Sequence, residues 1–202
     1  AIIVILFALI SFSYFTPLLE GKRIDGHDVK TWIGMSKEIS DHREKTGEEA
    51  LWTNSIFSGM PAYQISVKYS NLIKYIDKAI SFGFPRPANL LFLYLLGFYL
   101  LLVSLNIDYR IAALGAFAYA FSSYFFIIIQ AGHMTKAHAI AYLPMVVAAV
   151  LYTYRGKILL GGVLTSLAVA LQIFTNHYQI TYYLILILLF VGFTQFYKDF
   201  KA

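Results

Sequence analysis

From residue 137 to residue 175 the chain reads AHAIAYLPMVVAAVLYTY (137–154), RGK (155–157) and ILLGGVLTSLAVALQIFT (158–175). Two nearly unbroken apolar runs flank a turn made of two cations and a glycine. A bilayer core about 30 Å thick asks for roughly 20 such residues at about 1.5 Å of helical rise each. The runs are continuous and lack the in-out alternation of barrel strands, so they read as membrane-crossing helices. This stretch is a helical hairpin with a basic turn.

Working outward, the same reading applies to 1–16 (closed by Pro17), 87–105, 111–129 and 178–197. The expected fold is all-α: a polytopic transmembrane helical bundle of about six spans. It divides into a first span (1–17), a long external loop (18–86) and a five-span bundle (87–202). The chain opens Ala-Ile-Ile-Val inside an apolar run, which reads as a first helix cut short and the start of a fragment. Composition agrees, with 59% hydrophobic and 13% charged side chains among 202 residues and a mean hydropathy of +0.65. Soluble domains carry about 45–50% apolar and about 25% charged residues. A soluble enzyme, a disordered tail and a secreted disulfide scaffold are thereby excluded. Cysteine is absent, so no bridge or thiolate metal site arises.

Orientation follows from the short connections. Arg110, Arg155, Lys157, Lys198 and Lys201 belong to one set, and the opposite set carries Lys136 alone. The positive-inside bias puts the first set in the cytoplasm and the loop 18–86 outside. The net charge of +5 is then mostly a topology signal. The basic residues form no patch, so nucleic acid is not an expected partner; membrane lipid is.

Sixty-nine residues are too many for a structureless connection. Val29, Trp32, Ile33 and Ile39 recur at helical spacing and predict an amphipathic helix from Asp28 to about Glu44, with Asp28 at or near its N-cap. Tyr69, Leu72, Ile73, Ile76 and Ile80 predict a second one. Both are expected to lie in the membrane interface. Between them sits a turn-rich segment with exposed aromatics, including Trp52 and Phe57.

Polar groups at the spans are expensive, about 2.5–3.5 kcal/mol each at a helix centre, and here they gather. Asp25, His27 and Asp28 follow the first span. His133 and Lys136 lie between the third and fourth, with His138 just inside the fourth, and Asn176, His177 and Gln179 lie between the fifth and sixth. All map to the outer face, where a folded loop would roof them. Plainer readings stand beside this: Asp28 as a simple cap, the histidines bonded to backbone, Lys136 snorkelling to headgroups. Asp25-x-x-Asp28 could hold a divalent cation, but two carboxylates at that spacing are common by chance. No paired-histidine metal motif occurs, and no cofactor or metal site is assigned. Nucleotide-binding and nucleophile-elbow motifs are absent too.

The order of short motifs resembles the bacterial YfhO family. Gly26-His27-Asp28 follows the first span. Leu51-Trp52-Thr53-Asn54 then leads into Phe57-Ser58-Gly59-Met60-Pro61. Ala131-Gly132-His133-Met134-Thr135-Lys136 and Asn176-His177-Tyr178-Gln179-Ile180-Thr181 complete the likeness. That family is similar to GT-C glycosyltransferases, which take sugar from a polyprenyl-phosphate donor on the outer face. The resemblance implies a GT-C-like fold in a bacterial inner membrane, with residues 18–86 on the periplasmic side. It implies a cell-envelope polymer as acceptor and places the catalytic carboxylate at Asp28, with Asp25 and His27 beside it.

On this reading Asp28 is the general base, and Lys136 and His133 attend the donor phosphate. Trp52, with Asn54 near it, is a sugar-stacking candidate. Asn176, His177 and Gln179 are candidates to bind sugar or acceptor hydroxyls. Two other classes compete: a transporter or lipid- and solute-binding module, and a non-catalytic envelope scaffold. Against the transporter, no span shows a mid-membrane acid or an evident broken-helix pair.

Overall fold

The structure, a computed structural model, describes residues 2–22, 24, 26–68 and 70–201. Asp25, among the site candidates, and Tyr69, in the second amphipathic stripe, lie outside the described residues. The described chain is all-α apart from one small hairpin. In order it forms α1 (Ile2–Tyr14), α2 (His27–Met35), α3 (Lys37–Thr46), α4 (Ile73–Ile80), α5 (Ala88–Ser104), α6 (Tyr109–Ala120), α7 (Ser123–Ala131), α8 (Met134–Tyr154), α9 (Ile158–Phe174) and α10 (Tyr178–Lys201). Strands β1 (Trp52–Thr53) and β2 (Met60–Pro61) pair antiparallel between α3 and α4.

Two helices, α8 and α10, are long and apolar enough to cross a membrane. The pair α6 and α7 adds a third if its two halves count as one span, and α1, α5 and α9 are shorter apolar helices. The molecule is therefore a helical membrane protein. The expectation of an unbroken span over 111–129 is corrected: α6 and α7 meet at a bend of 44°. Phe121 closes α6 and Ser122 turns extended (φ −59°, ψ 132°) before α7 begins. Serine at that place favours a helix start over helix continuation.

The core is built on α8, which packs most extensively on α9 and α5. Small residues permit the close crossing. A β-carbon at Gly97 of α5 would lie 2.8 Å from the Ala141 carbonyl of α8, and close packing of this kind holds helices together where lipid is as apolar as the side chains. The Tyr94 hydroxyl donates to the Ala137 carbonyl at 2.9 Å, and its ring stacks on Phe125 with centroids 4.3 Å apart. Phe7 of α1 is fully buried between the edges of Tyr99 and Phe117.

Ends of the bundle are identified by contacts between turns. Arg155 donates to the Asn106 side chain at 2.7 Å, joining the α8–α9 and α5–α6 turns at one end. At the other end the loop 18–86 folds over the α7–α8 and α9–α10 turns. The first amphipathic segment is not one helix as expected but two, α2 and α3, broken at Ser36. Its stripe is only partly buried: Ile39 is fully enclosed, whereas Trp32 and Ile33 stay exposed. The Trp32 indole instead donates to the Ile65 carbonyl at 2.8 Å. In α4, Ile73, Ile76 and Ile80 pack on the core as the spacing predicts, while Leu72 precedes the helix and is exposed.

Candidate functional site

Asp28 lies in the first turn of α2, one residue past the start of a helix whose N-cap is Gly26. The expectation of a carboxylate near the cap is met in position, but its side chain does not cap. It crosses to the α7–α8 turn, where His133 Nδ1 stands 2.7 Å from Asp28 Oδ2. His27 Nδ1 is 3.6 Å from Oδ1. Both partners of the close pair keep nearly half of their side-chain surface exposed, 40% for Asp28 and 48% for His133.

Two glycines bring the segments together. A β-carbon on Gly26 would sit 2.9 Å from the carbonyl of Ala131, and one on Gly132 would press on the Val29 backbone and the Asp28 side chain. Gly132 also takes φ +98°, a conformation that L side chains rarely adopt. The Gly26-His27-Asp28 and Ala131-Gly132-His133 motifs are thus the two halves of one backbone contact.

Lys136, one turn into α8, sets its ammonium 5.5 Å from the Tyr124 ring centroid, a cation–π placement. The α9–α10 turn closes the group. Asn176, in the left-handed region at φ 56°, donates to the Tyr63 carbonyl of the loop at 2.8 Å. His177 Nδ1 faces the amide of Ile180 at the start of α10. Partial burial, with the positive fields of Lys136 and His133, pushes the His177 imidazole below its ordinary value. The Asn176–Tyr63 bond ties this turn to the same loop that carries Asp28. Gln179 does not join them; its amide donates along its own helix to Tyr183 at 2.8 Å.

Trp52 and Asn54 sit together on the hairpin, the indole donating to the Asn54 side chain at 3.2 Å, with Gly59 over the ring. Glu38 of α3 fixes this element by accepting from Thr53 Oγ1 and from the backbone of Asn54 and Ser55. These bonds hold the Glu38 carboxyl below the usual range, led by the Thr53 hydroxyl. Among the described residues no hydrogen bond, ion pair or ring contact joins Trp52 or Asn54 to the Asp28 group, so the structure does not bring these two candidates to it.

Beside the Asp28–His133 pair opens a recess of about 520 Å³, lined by Val29, Met134, Ile24 and Pro87, with Lys22 and Arg86 as its cations. Asp28 and His133 adjoin this recess through Val29 and Met134 without lining it. Among the described residues no group of three or more metal-ligating side chains occurs.

Sequence reasoning did not single out Asp77. Asp77 of α4 accepts from the Tyr142 hydroxyl at 2.5 Å, and His138 Nε2 lies 2.7 Å from the same oxygen. His138 is only 3% exposed and Tyr142 is fully buried. Burial pushes the Asp77 carboxyl up, but His138, Tyr142 and the positive charge of Arg86 outweigh it, so it lies below the ordinary range. The signal was available: Asp77 is four residues after Ile73 and three before Ile80, on the buried face of α4. Gln172 of α9 is another buried polar group, fully enclosed and with neither end of its amide hydrogen-bonded.

Comparison with protein-family models, curated proteins and solved structures finds no match for this chain. The functional reading therefore rests on the residues and their geometry.

Proposed function

We propose that this chain is part of a YfhO-type, GT-C-like membrane glycosyltransferase. It would transfer a sugar from a polyprenyl-phosphate donor to a cell-envelope acceptor at the outer face of a bacterial inner membrane. The observation that carries this reading is the Asp28–His133 pair at 2.7 Å, half open to solvent, with Lys136 three residues on from His133 and the α9–α10 turn tied to the same loop by Asn176. In this scheme the acceptor hydroxyl oxygen attacks the anomeric carbon. Its proton passes to Asp28, whose Oδ2 is held by His133. The bond from the anomeric carbon to the phosphate oxygen breaks, and the electron pair leaves with the lipid phosphate. Lys136 supplies the positive charge that steadies that phosphate. The shorter helices α1, α5 and α9 would also cross, completing six spans and putting the loop 18–86 outside.

Membranes containing the full-length protein, given a labelled polyprenyl-phosphate sugar, test the chemistry. Asp28→Asn should reduce transfer by about 10²–10⁴-fold, the usual contribution of a general base, while the protein stays folded. Full transfer by a folded Asp28→Asn protein sinks the proposal. The chain lacks cysteine, so single cysteines at Ala50 and Arg155 report sidedness against an impermeant thiol reagent. Labelling at 155 but not at 50 on intact cells reverses the orientation.

One observation favours a transporter: the α6–α7 bend is the broken helix that transporters use at a midplane site. Rings crowd the bend, however. Tyr119 stacks on Phe98 at 4.2 Å, Phe125 lies on Tyr94, and Phe121 meets Phe126 at 5.8 Å. A solute site there would need polar groups in place of those rings, and the enzyme reading is preferred.

A further inference from the structure

A groove of about 630 Å³ runs between α5, α8 and α9, away from the Asp28 group. It begins near Ile80 of α4, at the loop end of the bundle, and finishes at Asn106, Arg155 and Lys157, at the opposite end. Leu96, Leu100, Met145, Ala148, Leu164 and Leu167 make its wall apolar along the way. Its lining runs along α5, α8 and α9 from one end of the bundle to the other, so whatever fills it lies along the helices. Polarity is concentrated at one mouth. There the Arg155 guanidinium is set by the Asn106 side chain, and Lys157 stands two residues on. Both cations are exposed. The nearby carboxylate of Asp108 accepts from the Arg110 amide as the cap of α6.

We propose that this groove is a binding site for an anionic phospholipid. One acyl chain lies between α5, α8 and α9, and the phosphate headgroup meets Arg155 and Lys157 in the leaflet on the α8–α9 turn side. An amphiphile matches a groove that is apolar along its length and cationic at one end. A second copy of the chain would bring its own basic turn to that mouth, where like charges repel. A zwitterionic lipid fits the wall equally well but gains less from two cations, since each basic residue near a membrane surface favours anionic lipid.

Native mass spectrometry of the full chain, purified with defined lipid, tests this. The probes are dioleoyl phosphatidylglycerol and dioleoyl phosphatidylcholine at equal concentration. Phosphatidylglycerol should be retained on the order of tenfold more strongly. The Arg155→Gln, Lys157→Gln double variant should lose that preference, and Arg155→Lys should keep it. Ala148→Leu, which fills the groove without altering charge, should reduce retention of both lipids while helicity is unchanged. Equal retention of the two lipids overturns the proposal. So does retention by the Ala148→Leu protein at the original level, displacement of the lipid by millimolar inorganic phosphate, or a dimer mass in place of the lipid adduct.

Discussion

Two aspartates of the loop 18–86 each meet a histidine at 2.7 Å, Asp28 the one that precedes α8 (His133) and Asp77 one inside it (His138), and the two pairs differ chiefly in burial. His138 is buried and the Asp77 side chain is only 16% exposed, and Tyr142 donates to the same carboxylate from one turn further along α8. Asp28 and His133 stand half open at the head of the same helix. The first arrangement fastens α4 to the bundle. A charge removed from water needs its partners, so every group in the cluster is committed to the others. The second arrangement leaves 40% of the Asp28 side chain and 48% of the His133 side chain exposed. Similar pair chemistry yields a clamp where water is largely excluded and, where it is not, the proposed reactive position.

The largest expected effect breaks the clamp. Asp77→Ala strands His138 and the Tyr142 hydroxyl in an apolar setting, and removing one partner of a buried pair costs about 3–5 kcal/mol. Thermal melting in detergent should show a large drop or loss of the folded protein. Asp28→Asn should cost under about 1 kcal/mol, as exposed pairs do, while reducing transfer by about 10²–10⁴-fold. Equal melting losses for the two variants would erase the distinction between clamp and reactive position.

Next in size is Gly26→Ala. The added carbon meets backbone at 2.9 Å, which a side chain could evade but the Ala131 carbonyl cannot without moving the α7–α8 turn. Overpacking of this kind costs about 1–3 kcal/mol. Transfer should fall with it, because Asp28 is pushed from His133. The Gly34→Ala control, with open space around the site, should leave both unchanged. A Gly26→Ala protein with native melting and transfer would show that the glycine contact does not set the pair.

Much of this was legible before the fold. The energetic penalty on polar groups in hydrocarbon is enough to gather Asp28, His133, Lys136, Asn176 and His177 at one end. The alternation of runs and turns assigns those turns to the same boundary. Helix type and order followed from the apolar runs. What escaped was local interruption: Ser122 within 111–129 and Ser36 within the first amphipathic segment both break helices whose hydrophobic pattern continues across them. Pattern reports which face is apolar, and it is blind to where the backbone stops bonding to itself. Asp77 escaped because attention to the isoleucine stripe passed over the one acid on its face. Partners for that acid, His138 and Tyr142, are spaced i and i+4 on α8, a pairing visible only once α4 and α8 are known to touch.

A smaller effect follows from acid. Glu38 and Glu49 are held below their ordinary range, Glu38 by the Thr53 hydroxyl and backbone amides and Glu49 by Arg43. Folded carboxyls with depressed values add stability above the unfolded value, and that stability is lost as pH falls through the folded one. The loop should loosen below about pH 4.5, the ordinary value, on the way to more acidic pH. Both tryptophans of the chain, Trp32 and Trp52, are in this loop, so indole emission reports on it alone. A red shift on acidification should be reversible, and Glu38→Gln should shift the neutral-pH emission part of the way. Emission that is flat from pH 7 to pH 3 would mean the carboxylates do not anchor the hairpin.

The finest comparison lies inside the open site. His177 is pushed below its ordinary value first by partial burial and then by the charges of Lys136 and His133. It should therefore be neutral at pH 7, which histidine-selective NMR reads directly. An imidazole with a depressed value opposes protonation in the folded state, so stability drops as pH falls from the ordinary value of about 6.5 toward the folded one. Replacing Lys136 with Gln removes one of the two repelling charges and should raise the His177 value without moving its burial. The same substitution should weaken transfer if the ammonium meets the donor phosphate. A His177 titration that ignores Lys136→Gln would separate the α9–α10 turn from the α7–α8 turn. The open site would then consist of Asp28 and His133 alone, and its contrast with the buried clamp would rest on a single pair.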